Sequence, residues 1–175
     1  MPRLGLITIA WLLVACAWTG SPGDTTAEPG AAVVIHPVDG DTIEVRVGGQ
    51  TERVRLIGID TPESVARDRP VECFGIEAKV RMAELLPAGT KVRLERDIEA
   101  RDRYGRLLAY VFREVDGTNI NLHLVQEGFA ESRSFAPNTA RQAELDEAEI
   151  EAKAAGRGLW PACGSTNIVV GPPPR

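Results

Sequence analysis

Five charged side chains in three short phrases carry the chemistry this chain could do. The phrases are Asp39-Gly40-Asp41-Thr42, Arg55-Leu56-Ile57-Gly58-Ile59-Asp60-Thr61-Pro62-Glu63 and Asp102-Arg103-Tyr104-Gly105-Arg106. Asp41, Asp60 and Glu63 supply carboxylates, which can hold a hard cation and orient a water. Arg55 and Arg106 supply guanidinium groups, which can neutralise charge that builds on phosphate oxygens. The combination suits metal-assisted cleavage of a phosphodiester. Each phrase alone has a plainer reading: Asp39-Gly40-Asp41 as a hairpin turn, Thr61 and Glu63 as a helix start, Arg106 as a surface charge. Their joint occurrence is what points to a site.

The elements that must position these residues follow from periodicity. Residues 31–35 and 42–47 are short β-branched runs joined by the turn at 38–41, and Gly48-Gly49 leads into a third strand over 52–59. Alternation along that strand sets Arg53 and Arg55 on one face and Val54 and Leu56 on the other, so Arg55 projects away from part of the core. Asp60 falls where the strand ends. A helix is expected over 74–86, with Ile76, Val80, Ala83 and Leu86 as its apolar stripe and Pro87-Ala88-Gly89 as its stop. Two more strands are expected over 91–95 and 106–112. Asn119 should cap a short helix over 120–127, and Thr139 with Gln142 resembles a capping box opening a last helix to about residue 155. The expected fold class is therefore α+β, mainly β: a small five-stranded barrel of the OB-fold kind with about three packed helices.

The ends of the chain carry a different message. After Arg3, the apolar run 4–15 is shorter than the ~20 residues of a membrane span, and residues 1–18 read as an export signal. Two processing sites overlap there. Leu13-Val14-Ala15-Cys16 resembles a lipobox, whose cysteine is lipidated and would anchor the protein on the outer face of the cell membrane. Ala15-Cys16-Ala17 also fits a cleavage site that releases a secreted protein. Residues 19–30 lack the apolar content to fold and read as a disordered tether, 31–164 as the folded domain, and 165–175 as a disordered tail. Removing Cys16 leaves Cys73 and Cys163, an even pair in an exported chain, for which a disulfide is expected. Two separate thiols are the alternative; a zinc site lacks neighbouring histidines.

The formal net charge of −5 argues against a generic polybasic binder of nucleic acid. Arginines and lysines nevertheless gather over 79–106, while 144–151 is acidic and reads as a solvated helix face. His36 and His123 read as structural, and Trp160 as core.

The three phrases, in this order and spacing, resemble the staphylococcal nuclease (thermonuclease) family over residues 33–160. Gly156-Arg157-Gly158-Leu159-Trp160 resembles the family's closing motif, and Glu72-Cys73 with Cys163 is similar to members stapled by a disulfide. The resemblance implies an OB-fold nuclease that hydrolyses DNA and RNA, single-stranded or frayed, with Ca2+, and leaves 3′-phosphate ends. It implies that Asp41, Asp60 and the carbonyl of Thr61 hold the calcium, that Glu63 orients the attacking water, and that Arg55 and Arg106 clamp the phosphate. Tyr104 and Phe135 would lie along the substrate, and the protein would act as a monomer.

Two departures from the family pattern stand out. Arg133 occupies a stretch where relatives place aromatic residues, and the loop 64–71 is this chain's own. The competing classes are a catalytically inactive module of the same fold that binds nucleic acid or a partner, and an OB-fold that recognises saccharide without the arginine pair.

Overall fold

In the computed structural model, which describes residues 31–64, 70–166 and 168, the chain begins as a meander. The export signal, Cys16, the tether and residues 169–175 lie outside the described residues. Strand β1 (Ala31–Asp39) pairs antiparallel with β2 (Thr42–Val47), and β2 with β3 (Gln50–Leu56). β5 (Lys91–Glu95) and β6 (Leu107–Arg113) complete a closed barrel in the order β1-β2-β3-β6-β5, with β3 and β6 parallel. Closure leaves no barrel edge, and alternation fills the interior. Ile43, Val45, Val54, Leu56, Val92 and Val111 are all fully buried.

Two short pieces escaped the sequence pattern. β4 (Ile59–Asp60) and β7 (Glu131–Ser132) form a separate two-stranded ladder, with Asp60 opposite Glu131. Two residues carry no readable period. The ladder matters because it draws the segment around Arg133 against the end of β3–β4, where Arg133 N donates to Gly58 O at 2.9 Å.

Helices cover the barrel. α1 (Gly75–Leu85) buries Gly75, Ala78, Met82 and Leu85, with Leu86 buried just beyond it. The stripe expected from the sequence is thus wrong in part: Ile76, Val80 and Ala83 face outward. The helix carries apolar residues on two faces, and the flatter one, with alanine and glycine, is the one that can approach the turn before β2. α2 (Ile120–Gln126) starts as expected at Asn119, whose side chain accepts from Leu122 N. Asn121 on α2 is fully buried and ties the helix to the barrel, accepting from Val111 N and donating to Ile57 O.

α3 (Gln142–Ala154) begins two residues later than a Thr139 cap requires, and Arg141 stands at its N-cap with no side-chain capping bond. Gln142 donates instead to Ser132 Oγ and Asp146, which removes it from any capping box. α4 (Leu159–Ala162) closes the chain, with Trp160 half-buried beneath Lys153 rather than in the core.

Cys73 and Cys163 form a disulfide across a sequence separation of 90. Loop-closure entropy makes such a bond worth ~4–5 kcal/mol. Beyond it, Ser165 and Thr166, in the stretch read from sequence as tail, seat on Glu131.

Candidate active site

Asp41 starts the site because the β1–β2 turn has no room to place it elsewhere. A Cβ on Gly40 would lie 2.6 Å from Thr61 Oγ1, so only glycine lets the hairpin tip press against the chain leaving β4. That approach sets Asp41 Oδ2 within 3.3 Å of Thr61 N. Asp39, on the other side of the turn, accepts from Gly40 N, Ser64 N and Ser64 Oγ. One hairpin thereby organises two carboxylates and the Thr61–Ser64 segment.

Arg55 projects from β3 as alternation predicts. Its side chain is 13% exposed, and its NH1 donates to the carbonyls of Leu56 and Ile59. NH2 lies 2.9 Å from Asp41 Oδ2 and 3.1 Å from Asp60 Oδ1. Two carboxylates from distant elements therefore meet at one nitrogen. Asp60 is also reached by Arg133 NH2, at 3.2 Å from Oδ2, and Arg133 in turn lies 3.7 Å from Glu131. Burial pushes the Asp60 carboxyl above its ordinary range, helped by the charge of Asp41, even though Arg55 and Arg133 pull the other way. The two arginines under-compensate a desolvated acidic cluster.

Glu63 lies beside this cluster. Burial, then the charge of Asp39 and a hydrogen bond with it, then Asp41 and Glu72, push its carboxyl up to about 7. Such a group can take and release a proton near neutrality.

Arg106 reaches the site from the start of β6. Asp102 fixes it: Arg106 Nε lies 2.7 Å from Asp102 Oδ2, and Arg106 N donates to Asp102 Oδ1. Burial works against the Asp102 charge, but these hydrogen bonds hold its carboxyl below the usual range. Tyr104, exposed between the two, carries the guanidinium groups of Arg103 and Arg106 over its ring at 4.8 and 5.5 Å.

Two hollows meet at Arg106 and Tyr104. One of about 610 Å³ is shared with Glu63 and Arg53. The other, of about 750 Å³, runs past Arg55 to Phe135 and Asn138. Phe135 is half-exposed there, and the buried Asn138 braces the wall by bonding the backbone of Glu99 with both ends of its amide.

The geometry thus gathers Asp41, Arg55, Asp60, Thr61 and Glu63 in one cluster and sets Arg106, Tyr104 and Phe135 along an adjoining cleft. His36 and His123 lie apart from it, beside Glu44 and Glu127 respectively. Sequence reasoning assigned no role to Asp39, Glu72 or Asp102. Asp39 and Asp102 stood inside the quoted phrases; the turn reading absorbed Asp39, Asp102 received no reading of its own, and Glu72 was noted only as the neighbour of Cys73.

A small closed barrel that presents paired carboxylates, a half-buried glutamate and two braced arginines in one cleft defines a phosphodiester-handling class of OB-like protein. The chain belongs to the family described as staphylococcal nuclease homologue, whose model matches residues 53–162. It is similar to thermonucleases of Staphylococcus hyicus (37% identical over 140 residues, 80% of this chain and 81% of that protein) and Staphylococcus intermedius (39% over 128 residues, 73% and 74%). It is also similar to the SPbeta prophage-derived endonuclease YokF of Bacillus subtilis, at 41% over 125 residues covering 70% of this chain and 41% of that protein.

Proposed function

We propose that the protein is an exported, Ca2+-dependent nuclease that hydrolyses phosphodiester bonds of DNA and RNA and leaves 3′-phosphate ends. The observation that carries this reading is the meeting of Asp41 Oδ2 and Asp60 Oδ1 at one cationic nitrogen, with Glu63 beside them and Arg106 across the cleft.

Whether calcium suits these residues is a question of donor set. Two carboxylate oxygens already converge where a positive charge sits, burial makes that charge valuable, and a hard cation takes oxygen ligands at adaptable geometry. Among the described residues there is no group of three or more His, Cys, Asp and Glu side chains arranged as a metal cage. Asp41, Asp60 and the Thr61 carbonyl would hold the ion as an open site, leaving room for water and a phosphate oxygen. Bound there, the ion would supply charge stabilisation at the scissile phosphate.

The chain's own residues do the rest. Glu63 orients a water and accepts its proton as the water oxygen bonds to phosphorus and the bond to the 5′ oxygen breaks. Arg55, braced by the carbonyls of Leu56 and Ile59, and Arg106, braced by Asp102, hold the phosphate oxygens in a bidentate manner. In phosphoryl transfer a single arginine is worth 10³–10⁵ in rate, so Arg55→Ala or Arg106→Ala is expected to lower kcat about 10³-fold or more. Tyr104 and Phe135 form platforms for the strand on either side of the cleft.

Export is supported by the disulfide, which belongs to oxidising compartments. Lipidation of Cys16 would anchor the protein to the membrane; mass spectrometry of the mature N-terminus, with Cys16→Ser as control, decides between anchored and secreted forms.

The test of the activity is incubation of the protein with single-stranded DNA, duplex DNA and RNA, in calcium and in chelator, with end-group analysis. Calcium-dependent cleavage leaving 3′-phosphate is expected. Binding without cleavage would favour the inactive module, and cleavage in chelator would remove the metal.

A further inference from the structure

We propose that Glu72 is a positioning residue for Glu63, pinning its backbone so that the carboxylate stays on the reacting water. The inference rests on the reading of Glu63 as the water-orienting carboxylate.

Glu63 has a difficult address. It follows Pro62, and a side chain on a loosely held backbone would lose much of its effect, since a 1 Å misplacement can cost about 10²-fold in rate. Glu72 binds the Glu63 backbone with two opposed hydrogen bonds. Its N–H donates to Glu63 O at 2.9 Å, and its Oε2 accepts from Glu63 N at 2.9 Å. Both polar groups of the Glu63 peptide backbone are thereby held by one residue nine positions on. Glu72 is only 7% exposed, and a carboxylate accepting from a backbone N–H in such surroundings makes a strong, directional bond.

Glu72 is itself held from both sides. Its carbonyl accepts from Gly75 N at 3.0 Å, at the start of α1. A Cβ on Gly75 would stand 2.5 Å from Glu63 O, so the helix abuts the very carbonyl that Glu72 binds. On the other side Cys73 is bonded to Cys163, and Cys73 N donates to Ile168 O at 2.6 Å. The segment after Cys163 is seated on Glu131, which lies beside the Arg133 that reaches Asp60. The disulfide thus closes a circuit running from Asp60 around the chain end and back to Glu63. It is a structural staple whose inner end carries the pin.

The experiment is a double-mutant cycle in single-turnover cleavage of a single-stranded oligonucleotide at saturating calcium. Glu72→Ala is expected to lower kcat about 10²-fold with KM unchanged within twofold. Glu72→Gln, whose amide oxygen can accept the same N–H, is expected to stay within a few fold of wild type. In a Glu63→Gln background, Glu72→Ala is expected to cost nothing further, because the group it positions is already gone. Gly75→Ala, which pushes on the same carbonyl from the helix, is expected to behave likewise and serves where Glu72→Ala does not fold. The proposal is overturned if these substitutions lower kcat by the same factor in the Glu63→Gln background, or raise KM alone, or leave kcat at the wild-type value while Glu63→Gln is impaired. Full activity of Glu63→Gln would instead sink the role given to Glu63 itself, an outcome the cycle shows separately.

Discussion

Arg55 divides its guanidinium among four acceptors: two backbone carbonyls on NH1 and the carboxylates of Asp41 and Asp60 on NH2. The carbonyls set its direction, and the carboxylates mark where positive charge is wanted. Arg133 adds a second cation to the outer oxygen of Asp60. A guanidinium on Asp60 Oδ2 competes for the charge of the same carboxylate that would hold a divalent ion. Arg133→Ala is therefore expected to lower the half-saturating calcium concentration by up to about fivefold, the effect of the ~1 kcal/mol at most that a half-exposed ion pair contributes. A calcium titration of cleavage checks this, and an unchanged or higher midpoint would assign Arg133 to the substrate instead. At this scale the sequence was most legible. Asp41, Arg55, Asp60 and Glu63 lie in compact phrases whose order survives folding, and strand alternation already aimed Arg55 out of the core. What it hid were supports: Asp39 looked like a turn residue, Asp102 carried no reading of its own, and Glu72 meets Glu63 from nine positions away.

The elements deliver these side chains through contacts that have no local period. The barrel strands were readable because β-branched alternation over five or more residues is a strong signal. β4 and β7 were not, since two-residue strands exist only through their pairing with each other. The α1 stripe was misassigned for a related reason: with apolar residues on two faces, the helix buries the side that packs closely, and small Ala78 and Gly75 win over Ile76 and Val80. The segment just after Cys163 is held by Glu131. Burial opposes its charge, but hydrogen bonds from Ser165 and Thr166, with Arg133 beside it, hold its carboxyl below the ordinary value. A carboxylate whose folded pKa is depressed contributes stability that is present above its unfolded value, and that contribution is lost as pH falls through the folded one. As pH falls below the ordinary glutamate value, the thermal midpoint of the wild type is thus expected to drop more steeply than that of Glu131→Gln. Parallel curves for the two proteins would mean that the docked segment takes no stability from this charge.

The whole molecule is acidic, with a net charge of −5, yet its cleft is lined by Arg53, Arg55, Arg103 and Arg106. Attraction for nucleic acid is therefore local. A few phosphate contacts on a single strand, at about 0.7 per contact, predict a log–log slope of binding against salt near −2, measured with a calcium-loaded inactive variant. A slope steeper than about −5 would instead require a broad basic surface. The closed barrel makes such economy workable: β1–β2 brings Asp41, β3 brings Arg55, β4 brings Asp60, and the β6 approach brings Arg106, all to one end. The overall architecture was legible from sequence because strand patterning and motif order agreed, while the disulfide pairing became certain only with Cys73 and Cys163 joined. We propose that this end of the barrel hydrolyses phosphodiesters with Glu63 acting on water. Single-turnover cleavage of an end-labelled oligonucleotide at saturating calcium, wild type against Glu63→Gln, tests it most directly. A fall in kcat of about 10²–10⁴-fold with KM little changed is expected of a lost general base, and equal rates for the two proteins would contradict the account.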